Sequence, residues 1–232
     1  CALPICGLIL SIETSTEVCS VAIHRNGVLI AEASSKAAYS HAERLAPMIQ
    51  TLLSENNINK QDLKAIAVSS GPGSYTGLRI GVSTAKGLCF ALDIPLITIN
   101  TLESMLIGLP AEYSTSFKCP MIDARRMEVY CLVADSQNNL VDEVHAKIID
   151  ENSFNDTLST ERVVFYGNGA AKCKEVITST KAIFLENIVP SAKNIGTLAS
   201  IKFDENCFAD LAYFEPEYLK PYIAIKAKNP FA

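Results

Sequence analysis

The chain has 232 residues, 49% of them hydrophobic, and its 20 Lys and Arg against 25 Asp and Glu give a formal net charge of −5 at pH 7. That length suits one large domain or two small ones, since domains usually run to roughly 100–200 residues. The cations are scattered, which excludes a basic stripe able to hold a nucleic-acid backbone unaided. Eight cysteines without a CxxC pair read as thiols in a reducing compartment, with Cys19, Cys89, Cys131 and Cys173 in apolar or mixed segments. The opening CALPICGLIL lacks a basic flank and is far shorter than the roughly 18 apolar residues of a membrane span. Neither a signal peptide nor a span is expected, which points to the cytoplasm, and Cys1 to Cys6 read as an extension ahead of the fold.

GLILSIETS and EVCSVAIHRNGVLIAEAS predict three strands in succession, with Asn26 and Gly27 supplying a tight hairpin turn. Ser40 stands three residues before Glu43, a capping-box arrangement, and Leu45, Met48, Ile49, Leu52 and Leu53 recur at helical spacing up to Asn56. LKAIAVSS predicts a further strand. After it comes the glycine loop SSGPGSYTG, then a helix through TGLRIGVSTAKGLCFAL that Asp93-Ile94-Pro95 ends, and a strand from Leu96 to Ile99. TLESMLIGL predicts a short helix.

The pattern then begins again. KCPMIDARRMEVYCLVAD predicts strand, turn and strand, SQNN a polar turn, and Val141 to Ile149 a third strand. VVFYGNGA, a helix beginning near Ala170, the strand AIFLENIV and a helix from Ser191 follow. Strands in front and αβ units behind occur twice, so two similar lobes with a boundary near Leu106 are expected, each a mixed sheet covered by helices.

The glycine loop fits neither G-x-G-x-x-G nor G-x-x-x-x-G-K-[ST], so dinucleotide and Walker readings fail on spacing. A phosphate could still sit on bare amides at the helix start; otherwise Gly71 and Gly73 only shape a strand-to-helix turn. In the helix that follows, Leu78, Val82, Ala85, Cys89 and Leu92 make one apolar face, while Ile80, Gly81, Gly87 and Ala91 lie off it and are also small or apolar. A second cover, from another helix or a partner, is expected there. The hairpin tip IETST places Glu13, Thr14, Ser15 and Thr16 together, either for phosphate or a magnesium water shell, or to bond their own backbone. His24, His41 and His145 are isolated, no G-x-S-x-G elbow occurs, and Asp123 with Arg125 and Arg126 reads as a surface salt-bridge group.

LILSIETSTEVCSVAI, SHAERLAPMIQTLL, SSGPGSYTGLRIGVSTAKGLCFALDIPLITINTLESM and MIDARRMEVY together closely resemble the bacterial TsaB family, once labelled glycoprotease-like. The match covers most of residues 8–135 and is most specific over 69–105. GNGA, the helix after Pro190, and EPEYLKPY are similar to the family's later landmarks.

The resemblance implies a two-lobed, actin-like and ribonuclease H-like α/β fold of the sugar-kinase and heat-shock ATPase class. The lobes would be residues 1–105 and 106–232, the last segment able to pack back on the first. It implies a role in making threonylcarbamoyladenosine beside the anticodon of tRNAs that read codons starting with A. There the relative TsaD is the transferase, TsaB its non-catalytic partner, and TsaE a small ATPase that joins them. A homodimer when alone, tRNA contact only through the complex, and no membrane association follow.

In the catalytic relative the stretch matching INTLESM resembles N-H-x-E-G-H, whose two histidines hold a metal. Here those positions are Thr101 and Met105, which are not usable hard-metal ligands. Glu13 also departs from the Asp usual at the first phosphate loop, so only weak nucleotide binding is expected at Glu13, Thr14, Ser15, Gly71 and Gly73, with ATP or ADP at or near the partner interface. The expected partner face is Leu45, Met48, Ile49, Leu52, Tyr75, Leu78, Ile80 and Val82, with the glycines of 71–87 allowing close approach. An independent ATPase or small-molecule kinase of the same fold, and the old peptidase label, are the alternatives.

Overall fold

The computed structural model describes residues 7–36 and 41–220. Strands β1 (Leu8–Glu13), β2 (Val18–Arg25) and β3 (Val28–Lys36) form an antiparallel meander. Its second hairpin turns on Asn26 and Gly27, both at positive φ as a two-residue primed turn requires. Strands β4 (Ala65–Gly71) and β5 (Leu96–Asn100) add in parallel, giving the order β3-β2-β1-β4-β5. The helices α1 (His41–Glu55) and α2 (Tyr75–Leu92) make the connections.

The second sheet repeats the plan. Strands β6 (Phe117–Asp123), β7 (Glu128–Ala134) and β8 (Leu140–Ile148) form the meander, and β9 (Val163–Tyr166) and β10 (Ala182–Leu185) add in parallel, in the order β10-β9-β6-β7-β8. A short helix, α3 (Thr101–Leu106), joins the sheets and caps on the Asn100 side chain.

Burial explains the composition of each strand. β1 and β4 are buried along their whole length because helices cover both faces, whereas the edge strand β3 alternates between exposed and half-buried. On one face Leu8, Leu10, Ile12, Ile66 and Val68 meet Leu45, Ile49, Val82 and Ala85 of α1 and α2. On the other, Ile9, Ala65, Ala67, Ile97 and Ile99 meet Ile195 and Ala199. These last two belong to α5 (Ala192–Asp204), so a helix from the far end of the chain closes the first sheet.

Residues beyond α5 then run back over α2. Ala209 donates its N–H to the Leu96 carbonyl at 2.9 Å, Lys86 Nζ donates to the carbonyls of Ala212 and Phe214 at 3.2 and 3.1 Å, and Glu217 N–H donates to the Ser70 carbonyl at 2.7 Å. Tyr218 packs on Tyr75 with ring centroids 4.7 Å apart and accepts a hydrogen bond from Arg79 Nε at 3.1 Å. Part of the second side of α2, expected to await a helix or a partner, is therefore covered by residues 209–218 of the same chain.

Two elements differ from the sequence reading. The helix expected near Ala170 is only a 3-10 turn, Ala171–Cys173, because β-branched Val176, Ile177, Thr178 and Thr180 disfavour its continuation. A short helix α4 (Asn155–Thr160) instead supplies Leu158 to the second core. Ser40 of the expected capping box and the extension Cys1 to Cys6 lie outside the described residues. Among the described cysteines Cys19, Cys89, Cys119, Cys131 and Cys173 are free and buried. Burial pushes the thiols of Cys19, Cys89 and Cys173 up to about 11, which makes them poor nucleophiles.

Candidate functional site

The β1–β2 tip and the glycine loop, the two expected halves of a phosphate cradle, lie in direct contact. Ser74 N–H donates to the Ser15 carbonyl at 2.6 Å. A Cβ on Gly73 would lie 2.5 Å from Ser15 O, one on Gly77 2.1 Å from Thr14 O, and one on Gly81 2.2 Å from Thr14 Oγ1. These glycines let one backbone cross another within the chain. The Ser74 amide is thus engaged by the β1–β2 tip, and Glu13, Thr14, Ser15, Gly71 and Gly73 lie together at this junction. Gly71, at φ +119, faces the returning segment beyond α5: a Cβ there would lie 2.6 Å from the Glu217 carbonyl. That close approach comes from the folding back of a segment far along the chain, a relation invisible to local pattern.

Glu13 is fully buried at the centre of this junction. Its Oε1 accepts from Ser15 N–H at 2.5 Å, while Oε2 finds no well-aligned donor among the described residues. Burial raises its pKa above the ordinary value; the Ser15 and Ser69 hydroxyls and the Ser15 and Thr14 amides pull the other way and lose.

His24 is buried on the α5 side of the first sheet, and neither ring nitrogen has a hydrogen-bond partner among the described residues. Gly196 leaves room for it: a Cβ there would be 2.1 Å from His24 Nδ1. Burial, and secondarily Lys193, hold its pKa below 6.5. The unfolded chain therefore takes up this proton first as pH falls. The stability from neutral His24 is complete above about 6.5 and is lost as pH falls through the lowered folded value. Thermal melts should show a midpoint that declines below that pH, and His24→Leu should flatten the decline. An unchanged profile in the variant would assign the acid sensitivity to another group. Of the other histidines, His41 Nε2 lies 2.8 Å from the Thr16 carbonyl and His145 Nδ1 2.7 Å from that of Glu143.

The expected partner face divides under burial. Leu45, Ile49, Leu52, Leu78 and Val82 are taken up by the chain's own core. The apolar stripe of an amphipathic helix turns first to its own sheet. Met48, Tyr75 and Ile80 are half-buried or exposed and remain partly at the surface. Sequence reasoning missed Phe90, which is 83% exposed on α2 beside exposed Gly87 and Ala91. The signal available was a large aromatic standing off the Leu78–Val82–Cys89 stripe.

On α3, Thr101 and Met105 are both sealed inside. Met105 packs with Leu102, Ile122 and Tyr166, and the Tyr166 hydroxyl donates to the Met105 carbonyl at 3.2 Å. Among the described residues no three His, Cys, Asp or Glu side chains converge as a metal-ligand group. No helix there is long and apolar enough to cross a membrane.

The duplicated mixed sheet, three antiparallel strands with two parallel ones added and helices on the faces, defines a two-lobed actin-like α/β protein. A family model described as TsaD, tRNA N6-adenosine threonylcarbamoyltransferase, matches residues 30–227. The Escherichia coli tRNA threonylcarbamoyladenosine biosynthesis protein TsaB is 30% identical over 94% of this chain and 96% of its own length. The Bacillus subtilis protein of the same name is 37% identical, over 59% of this chain and 58% of the relative. Of solved structures, YeaZ from Pseudomonas aeruginosa superposes with a TM-score of 0.78 at 26% identity, covering 92% of this chain and all of that one. The chain belongs to the TsaB (YeaZ-like) family.

Proposed function

We propose that this chain is a non-catalytic subunit that pairs with TsaD, and is joined by TsaE, in threonylcarbamoylation of the adenosine beside the anticodon of tRNAs reading codons that start with A. The observation that carries this reading is the sealing of Thr101 and Met105. The positions that resemble the transferase's metal ligands are here a hydroxyl and a thioether buried in the core. A chain of this family without those ligands needs a relative that has them.

The contact to TsaD runs over the exposed parts of α1 and α2, with Met48, Ile80 and Phe90 as its apolar points and Gly87 and Ala91 permitting close approach. A second copy of the chain takes the same face when TsaD is missing, and tRNA is held through the complex. The packed glycine loop weighs against the independent ATPase. Any ATP or ADP in the assembly would sit near the joint surface.

Light scattering after size exclusion, on the chain alone and mixed with TsaD of the same organism, with and without ATP, tests this. A homodimer replaced by a heterodimer is expected. Phe90→Asp should weaken pairing by about 2 kcal/mol, roughly thirtyfold, without unfolding the chain. A monomer that ignores TsaD would return the assignment to a free-standing ATPase.

A further inference from the structure

The β6–β7 turn holds Arg125 at φ 70 and Arg126 at φ 53, two successive non-glycine residues in the left-handed region. Such residues are strained, and strain of this kind persists only where the surroundings enforce it. Here they do. Ala124 N–H donates to the Glu128 carbonyl at 3.1 Å and Glu128 N–H to that of Arg125 at 3.2 Å. Asp123 Oδ1 accepts from Arg125 N–H at 2.9 Å, and Asn168 Oδ1 accepts from Asp123 N–H at 3.0 Å. Lys172 Nζ donates to the carbonyls of Arg126 and Glu128, each at 2.7 Å.

The charges of the turn are sorted with equal care. The salt-bridge group expected of Asp123, Arg125 and Arg126 does not form. Asp123 pairs with Lys172, and Glu128 pairs with Lys220. Both nearby acids are thus neutralised by lysines from other segments. Arg125 and Arg126 are exposed, and neither guanidinium has a hydrogen-bond or ion-pair partner among the described residues. On a chain of net charge −5 this is a braced turn presenting two guanidiniums without a counter-charge among the described residues.

We infer that this turn is the chain's own contact to an RNA phosphate backbone, the two guanidiniums each meeting a phosphodiester of the tRNA held by the assembly. The inference rests on the proposed role in tRNA modification. Guanidiniums match phosphate oxygens as a planar fork, and a fixed turn spares the ordering cost that a flexible lysine would carry. Two contacts are too few for binding by the isolated chain and enough to add to a partner's site.

The test uses the assembled complex of this chain with TsaD and fluorescein-labelled tRNA bearing the unmodified adenosine, titrated over a range of salt. The double variant Arg125→Gly/Arg126→Gly removes both charges and suits the positive φ, so its melting midpoint should not fall. Expected are a roughly tenfold weaker affinity and a slope of log K against log salt that is shallower by about 0.7–0.9 for each phosphate no longer neutralised. Arg125→Lys/Arg126→Lys should keep most of the slope. An intact complex with unchanged affinity and slope overturns the inference alone. Failure of the double variant to form the complex would also overturn it, assigning the arginines to an acidic protein surface. Arginine-dependent displacement of tRNA by excess ATP would reassign the site to a free nucleotide. If the parent chain itself does not pair with TsaD, the proposed function fails, and this inference with it.

Discussion

Gly77→Ala is expected to destabilise the chain by about 3 kcal/mol or more, lowering the melting midpoint by roughly 6–12 °C. The added Cβ would lie 2.1 Å from the carbonyl oxygen of Thr14, a backbone atom in a strand-to-strand tip that cannot swing aside as a side chain could. Gly87, further along the same helix, is exposed, and a Cβ added there would meet nothing within 4 Å. Gly87→Ala should therefore stabilise the unpaired, monomeric chain by about 0.5–1 kcal/mol through helix propensity. Paired urea melts of the two variants decide the matter. Equal effects would mean that these glycines serve the helix generally, and that the crossing of the glycine loop over the β1–β2 tip is not what demands Gly77.

Glu13→Gln should raise stability at neutral pH by about 1–3 kcal/mol, the range for relieving an unsatisfied buried polar group. The sign follows from the raised folded pKa: the native state binds this proton more tightly than the unfolded chain, so stability falls as pH rises from 4.5 toward the folded value. Below about 4.5 both states carry the proton and the variant's advantage should vanish. Urea unfolding at neutral pH and at about pH 4 measures it. A variant less stable than the parent at neutral pH would show that Glu13 is ionised and well partnered in the native state.

Much of the fold is legible along the chain. The Asn26–Gly27 turn, the apolar spacing of Leu45, Ile49 and Leu52, and the Leu78–Val82–Ala85–Cys89 stripe record local backbone preference and one-sided burial, which act over a few residues. What is not legible has one cause. The spacing of Leu78 and Val82 announces burial but not what does the burying, and here their own sheet takes part. The missed Phe90 and the mis-paired Asp123 follow from the same limit, since Lys172 stands 49 residues from its carboxylate partner.

The sequence by itself determined the repeated order of strands and helices and the family, and it places Thr101 and Met105 in the stretch INTLESM. Only the tertiary structure decided that α5 and the segment beyond it close over the first sheet, that the glycine loop rests on Thr14 and Ser15, and that Arg125 and Arg126 have no counter-charge among the described residues. The reason is physical. Periodicity and turn chemistry are written in neighbouring residues, but steric contact and charge pairing depend on segments that meet only when the chain has folded, here across separations such as Ser70 to Glu217 and Glu128 to Lys220.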